Sequence, residues 1–120
     1  MNIKFIETPS PIGNFVNVRF TGHYAYISGQ GPFDDNGKLI KGKVGKDLNI
    51  DEAYDAARRV GISILSVIKN EIGFEKVHKI IKILGLVNCT EDFYLQPKVI
   101  NGCSDLLVEY FGETKGMHAR

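Results

Sequence analysis

The chain has 120 residues, a length that forms a single domain (1–120) and buries roughly two thirds of its extended surface. Hydrophobic residues make up 43% and charged residues 24%, unlike a disordered tail, and a formal net charge of +1 sets up no strong field for nucleic acid or anionic membrane. Two cysteines are too few for a secreted disulfide scaffold, no charged-then-apolar leader opens the chain, and no apolar run approaches the roughly 20 residues of a membrane-spanning helix, so a cytoplasmic protein without membrane partners is expected.

Asn2 to Glu7 alternates weakly and predicts a first strand, broken by Pro9, Pro11 and Gly13. From Asn14 to Thr21 the alternation is cleaner, with Val16, Val18 and Phe20 opposed to Asn17, Arg19 and Thr21, as in a half-buried strand. Gly22-His23 separates it from Tyr24, which predicts an antiparallel hairpin with His23 exposed at the turn. Tyr24 to Ser28 then reads as a buried strand running into Gly29-Gln30-Gly31-Pro32. Glycines there let the backbone approach a ligand, and Ser28 and Gln30 offer hydrogen-bonding groups. On these residues alone an ordinary Gly/Pro turn is the commoner outcome, and a small-ligand pocket on a strand end is the alternative.

Phe33 to Lys38 carries the Asp, Asn and Gly of a turn, and Gly42-Lys43-Val44-Gly45-Lys46 lacks phosphate-loop spacing, so Lys38, Lys41, Lys43 and Lys46 predict a solvated surface. Asn49 with Glu52 three residues later forms a capping-box pattern, and Ala53, Ala56, Ala57, Val60, Ile64, Val67 and Ile68 make one apolar stripe. The helix is expected over about 50–72, closed by Gly73, and the small Ala53, Ala57 and Gly61 point to close packing against a sheet.

Val77 to Cys89 is the longest strand candidate, with His78 near the surface at its start. Over Ile80 to Val87 apolar residues occupy both faces, so one face can meet a helix while the other requires a further layer or subunit. After a polar connector, Gln96-Pro97 opens a second helix whose stripe is Val99, Cys103, Leu106, Leu107 and Tyr110, closed by Gly112. Cys103 is then a core thiol. Neither cysteine has metal-site spacing, and no metal or cofactor is expected. The chain runs to Gly116-Met117-His118-Ala119-Arg120, where a terminal arginine is ordinarily solvated.

The ordered set Ile12-Gly13-Asn14-Phe15, Ser28-Gly29-Gln30-Gly31-Pro32, Val99-Ile100-Asn101-Gly102 and His118-Ala119-Arg120 resembles the Rid family of reactive-intermediate (enamine/imine) deaminases, also described as endoribonuclease L-PSP. The resemblance implies an α+β fold of the Rid-like, chorismate-mutase-like kind, a mixed β-sheet with two helices on one face. It also implies a homotrimer whose sheets close into a barrel with active sites between subunits. Arg120 matches the substrate-anchoring arginine, whose planar fork suits a carboxylate, and Ser28 and Gly29 match residues lining the same cleft. Phe15 stands where many members carry tyrosine, which removes a hydroxyl. The family pattern continues past its arginine through two further strands, one with a glutamate that activates water, so the 120 residues are expected to be incomplete relative to the gene or to have a lost or replaced tail.

The function expected from this resemblance is cofactor-free hydrolysis of 2-imino or 2-enamino acids to 2-oxo acids and ammonia. Arg120 would hold the carboxylate, and Ser28, Gly29 and Phe15 would line the pocket. The alternatives are a non-catalytic small-carboxylate-binding regulatory protein and an endoribonuclease, the latter disfavoured by the absence of a basic patch interleaved with aromatics.

Overall fold

A computed structural model describes residues 2–8 and 10–120, so the expected break at Pro9 lies outside the described residues. The elements in order are the hairpin β1 (Val18–Thr21) and β2 (Tyr24–Ile27), the helix α1 (Ile50–Val67), the helix α2 (Gln96–Phe111) and the short α3 (Glu113–Gly116). The architecture is α+β, with a small antiparallel sheet and two long helices packed on each other.

The capping box forms as written in the sequence. Asn49 Oδ1 accepts from the Glu52 amide at 2.8 Å, and Glu52 Oε1 accepts from the Asn49 amide at 3.0 Å. At its far end α1 passes into a π-helical turn (Ile68–Ile72) and stops at Gly73, whose φ of 97° is a left-handed conformation disfavoured for other residues. The helical stretch therefore spans the predicted 50–72. Pro97 sits in the first turn of α2 and Gly112, at φ 84°, ends it.

The core lies between these helices: Ala53, Ala57, Leu65, Val99, Cys103, Leu106 and Leu107 are buried there together. A Cβ on Gly61 would meet Leu106 Cδ2 at 2.8 Å and Cys103 Sγ at 3.4 Å, and one on Gly102 would lie 2.0 Å from the Tyr54 carbonyl oxygen. The small residues of α1 thus permit close approach of α2, which corrects the expectation that they face a sheet. Two helices that both carry small residues at the crossing can bring their backbones together, and that fixes α2 firmly on α1.

Three strand expectations change. Asn2 to Glu7 forms no strand; Ile3 and Phe5 instead pack on the core, with the Phe5 ring 5.8 Å from Phe74 and 6.2 Å from Tyr110. The half-buried strand over Asn14 to Thr21 is limited to β1, where Val18 is buried but Phe20 is exposed; Val16 lies before it and is exposed, and β2 is not buried either, since Tyr24 and Tyr26 are exposed. Val77 to Cys89 is extended yet forms no ladder. It is tied by isolated parallel bridges, Val44 with Cys89 at one end and Lys82 with Ala119 at the other. Ile80, Ile83, Val87 and Cys89 face the helical core, while Leu84 and Leu86 are 79% and 85% exposed. The mixed sheet expected from the resemblance is thus a two-stranded antiparallel sheet plus bridged extended segments. Among the described residues, no helix is long and apolar enough to cross a membrane.

Candidate functional site

Residues 97, 101, 104 and 108 recur at helical spacing and share one face of α2. Against this face lies the end of the chain, positioned by backbone pairing rather than by its own secondary structure. The Ala119 amide donates to the Ile81 carbonyl at 3.0 Å, and the Ile83 amide donates to the Ala119 carbonyl at 2.9 Å. With Ala119 held, Arg120 reaches back over the helix. Its Nη1 donates to Asn101 Oδ1 at 2.9 Å and to Ser104 Oγ at 3.1 Å, and its Nη2 donates to the Pro97 carbonyl at 2.9 Å. Arg120 is exposed, as expected, yet these three bonds hold it in place rather than frayed.

All three partners are neutral, and no salt bridge to Arg120 occurs among the described residues. Three of the five guanidinium N–H groups are occupied, which leaves two for an incoming acceptor. Next to Arg120, the His118 ring stands with Nε2 2.8 Å from Ser104 Oγ and Nδ1 2.6 Å from the Gly116 carbonyl. Asn101, Ser104, His118 and Arg120 line one cavity of about 460 Å³, together with Asp105, Val108, Glu109 and Met117. Tyr54 Oη donates to Asp105 Oδ2 at 2.6 Å, so that carboxylate is already engaged from α1. The same hydrogen bond raises the Tyr54 phenol above its ordinary range.

The other residues expected at the site gather at the base of the hairpin. Ser28 Oγ donates to the Val16 carbonyl at 2.6 Å, and the Ser28 amide donates to the Asn17 carbonyl at 2.9 Å. With its one hydroxyl proton committed, Ser28 can only accept a further hydrogen bond through its side chain. Gln30 Nε2 donates to the Ser28 carbonyl at 3.0 Å and braces the turn. Gly29 borders open space, with nothing within 4 Å of where a Cβ would stand. Phe15, half exposed, precedes the Val16 whose carbonyl holds Ser28 and has no hydroxyl to offer. Within one protomer, no hydrogen bond among the described residues joins this group to Arg120. Ser28, Gly29 and Phe15 thus form a group on the hairpin apart from the group around Arg120 on α2.

Sequence reasoning did not anticipate His118 or Ser104 as partners, nor Asn101 as a brace; the available signal was the 97, 101, 104 spacing. It also missed Arg59 on α1, which bonds Asp35 and Asp55 at 3.1 Å each and the Phe33 carbonyl at 3.4 Å, pinning the 33–38 turn to the helix. That turn is closed by Asp34, whose carboxyl is held below the usual range first by the Lys38 backbone amide and also by that of Asn36. The Gly42 to Lys46 segment closes on itself, with Asp47 Oδ2 accepting from the Lys43 amide at 2.8 Å, and its lysines are exposed as expected. Cys103 is buried, as its stripe position implied, and burial pushes its thiol up to about 11. Among the described residues no cluster of three His, Cys, Asp or Glu side chains could hold a metal ion.

A family model described as YjgF/chorismate-mutase-like, putative endoribonuclease matches residues 2–120. The chain belongs to this family. The YjgF-like assignment is the one its ordered motifs resemble, since Rid and L-PSP are names for the same superfamily. Protein TCP17 of Trypanosoma cruzi is 33% identical over 121 residues, an alignment that takes in the whole chain and 76% of that protein. The crystal structure of a putative endoribonuclease from Shewanella oneidensis superposes with a TM-score of 0.93 at 31% identity, over 98% of this chain and 78% of that one. The protein Atu1372 of Agrobacterium tumefaciens, of unknown function, superposes with a TM-score of 0.83 at 36% identity, over 90% of this chain and 69% of that one. The YjgF-like backbone, with its helix pair and hairpin, is thus shared with both solved structures.

Proposed function

We propose that this YjgF-like protein hydrolyses reactive 2-imino and 2-enamino acids to 2-oxo acids and ammonia, in a cleft where the α2 half-site of one subunit meets the hairpin half-site of the next in a homotrimer. The observation that carries the reading is Arg120. A guanidinium held on three neutral acceptors keeps its full positive charge and two N–H groups for a ligand carboxylate, and it borders a cavity large enough for a small acid. Its hold on Pro97, Asn101 and Ser104 fixes the fork before the ligand arrives, which lowers the ordering cost of binding.

Ser28 and Gly29 fit the facing wall. Gly29 leaves the backbone accessible, and the Ser28 hydroxyl is an acceptor for an imine N–H or for a water. The exposed apolar residues of β1, β2 and the 81–86 segment fit a contact between subunits, which is the cover that a strand apolar on both faces needs. Phe15 adds apolar wall without a hydrogen-bonding group. No cofactor is required, because water adds to an electrophilic C=N carbon without an oxidant or a metal.

The test is imine hydrolysis coupled to an amino-acid oxidase that generates the imine in place. Arg120→Ala abolishes the acceleration if the reading holds, and unchanged rates reject it. A regulatory protein that binds small carboxylates without chemistry is the second reading, favoured by the missing hydroxyl at Phe15; 2-oxo acid binding with no turnover of any imine would establish it. RNA cleavage, the activity named for the Shewanella oneidensis relative, suits the cavity poorly. Its lining sets one arginine against the carboxylates of Asp105 and Glu109 and contains no lysine, an unfavourable field for a phosphate backbone.

A further inference from the structure

Ser28 and Gly29 can serve a ligand only if the backbone that bears them stands at a fixed place. Ser28 is tied to the hairpin through the Val16 and Asn17 carbonyls. Among the described residues neither Gly29 nor Gln30 has a backbone hydrogen bond, so the next fixed point is Gly31. Its carbonyl accepts from Ser63 Oγ of α1 at 3.3 Å, and two residues on the Phe33 carbonyl accepts from Arg59 Nη1 at 3.4 Å. Between them the Pro32 carbonyl takes the Ile40 amide instead, at 2.8 Å. Carbonyls that alternate between two partners are those of an extended chain. Alternate carbonyls of such a chain lie roughly 6.5 Å apart and residues four apart on a helix about 6 Å, so 31 and 33 match 63 and 59 in antiparallel order.

Ser63 is committed to this contact. It and Ser66 are both fully buried on α1, but Ser66 Oγ donates to the Ile62 carbonyl at 2.8 Å, the local bond usual for a helical serine. Ser63 makes no such local bond, and its one partner among the described residues is Gly31, 32 residues away in the chain. A buried hydroxyl whose bond leaves its own helix fixes the partner backbone, since without it the Gly31 carbonyl loses its donor. On the other side Gly31 allows a close approach, because a Cβ there would stand 2.8 Å from Leu39 Cδ1. Arg59 is oriented for its part by Asp35 and Asp55, at 3.1 Å each.

We propose that Ser63, supported by Arg59, is a positioning residue for the imine hydrolysis: it fixes the far end of the two-residue span that carries Gly29, and so sets the pocket wall that faces the carboxylate anchor. The assignment rests on the deaminase reading. Both side chains act through the backbone of residues 31–33. Loss of the Ser63 hydroxyl frees Gly31 and shifts Gly29 against the ligand, whereas Arg120 keeps its own three bonds on α2. The effect therefore falls on turnover and spares carboxylate binding.

The experiment joins steady-state kinetics on an imine generated in place, 2-oxobutanoate calorimetry and amide hydrogen exchange by NMR, on the full chain, for wild type, Ser63→Ala, Ser63→Thr, Arg59→Gln and Asn49→Ala. In Ser63→Ala the Asp34 and Ile40 amides, whose bonds close on the 32–38 backbone, should exchange faster while α2 amides keep their protection. Its kcat should fall about tenfold or more, within what a displacement of about 1 Å can cost, with 2-oxobutanoate affinity close to wild type. Ser63→Thr, which keeps the hydroxyl, should recover both readouts. Should the Ser63 variants not fold, as judged by circular dichroism, Arg59→Gln at its half-buried position gives the same pair of readouts. Asn49→Ala removes the α1 cap, far from this contact, and should lower the urea midpoint while kcat stays at the wild-type value. Wild-type kcat in Ser63→Ala and Arg59→Gln, or an equal loss of kcat in Asn49→Ala, would overturn the positioning role and leave the deaminase reading standing. Absence of both turnover and 2-oxobutanoate binding in wild type would overturn that reading, and the positioning role with it, whatever the exchange shows.

Discussion

Arg120 gains its meaning from what it is not paired with. An arginine bound to carboxylates would be neutralised, whereas one on Pro97, Asn101 and Ser104 is oriented and still charged. Asn101→Ala removes one of the three braces and should weaken 2-oxo acid binding by about fivefold to twentyfold, the worth of about one to two kcal/mol for a hydrogen bond to a charged group. Calorimetric titration would check this, with far-UV circular dichroism unchanged. Gly29→Ala tests the opposite wall. Nothing stands within 4 Å of the added methyl and the φ there is not left-handed, so stability should hold while imine turnover falls. A large drop in melting temperature would show that Gly29 serves the fold instead. Cys103 offers a pH test. Its thiol rises from 9.0 unfolded to about 11 folded, so the protonated form is favoured by folding. That contribution is complete below pH 9 and is lost as pH climbs toward about 11. Urea midpoints should fall across this window, and iodoacetamide should label the half-buried Cys89 well before Cys103.

At the scale of elements, the α1–α2 crossing sets the position of the candidate site, because three Arg120 acceptors are on α2. Gly102→Ala would put a methyl 2.0 Å from the Tyr54 carbonyl, a backbone atom that cannot rotate away. We expect a loss of about 3 kcal/mol or more in urea unfolding, at the upper end for overpacking, and a parallel loss of Arg120-dependent activity. An unchanged midpoint would mean that the crossing yields easily. What the sequence made legible were the features decided locally. The capping box at Asn49, the stop at Gly73, Pro97 in the first turn, Gly112 at the close and the burial of Cys103 each depend on nearby residues and an apolar stripe. The strands were read less well because a strand is defined by its neighbour. Val77 to Cys89 has the composition of an interior strand, yet in the protomer it pairs only through isolated bridges to Val44 and Ala119 among the described residues, with single backbone bonds such as the Ile80 amide to the Lys115 carbonyl. His118 and Ser104 are 14 residues apart and meet only because Ala119 is pinned beside Ile81 and Ile83, a register that composition does not disclose. Ser28, Gly29 and Arg120 were singled out through their motifs, and the folded protomer places Ser28 and Gly29 at the hairpin and Arg120 on α2.

The whole molecule leaves Phe20, Tyr24, Tyr26, Leu84 and Leu86 exposed, side chains that a contact between subunits would cover. A homotrimer that covers them predicts a sedimentation mass three times that of the chain. Leu84→Asp and Leu86→Asp together should reduce it to one while the circular dichroism spectrum keeps its helical signal. If the proposed pocket draws on two subunits, imine turnover should vanish with the trimer. A monomeric wild type with full activity would require every group to come from one chain. The most direct measurement is a crystal structure of the assembled protein with 2-oxobutanoate bound. The account predicts the ligand carboxylate within hydrogen-bonding distance of the Arg120 guanidinium, with Ser28 and Gly29 of a neighbouring subunit on its other side. A ligand bound elsewhere, with Arg120 far from every Ser28 in the assembly, would contradict it.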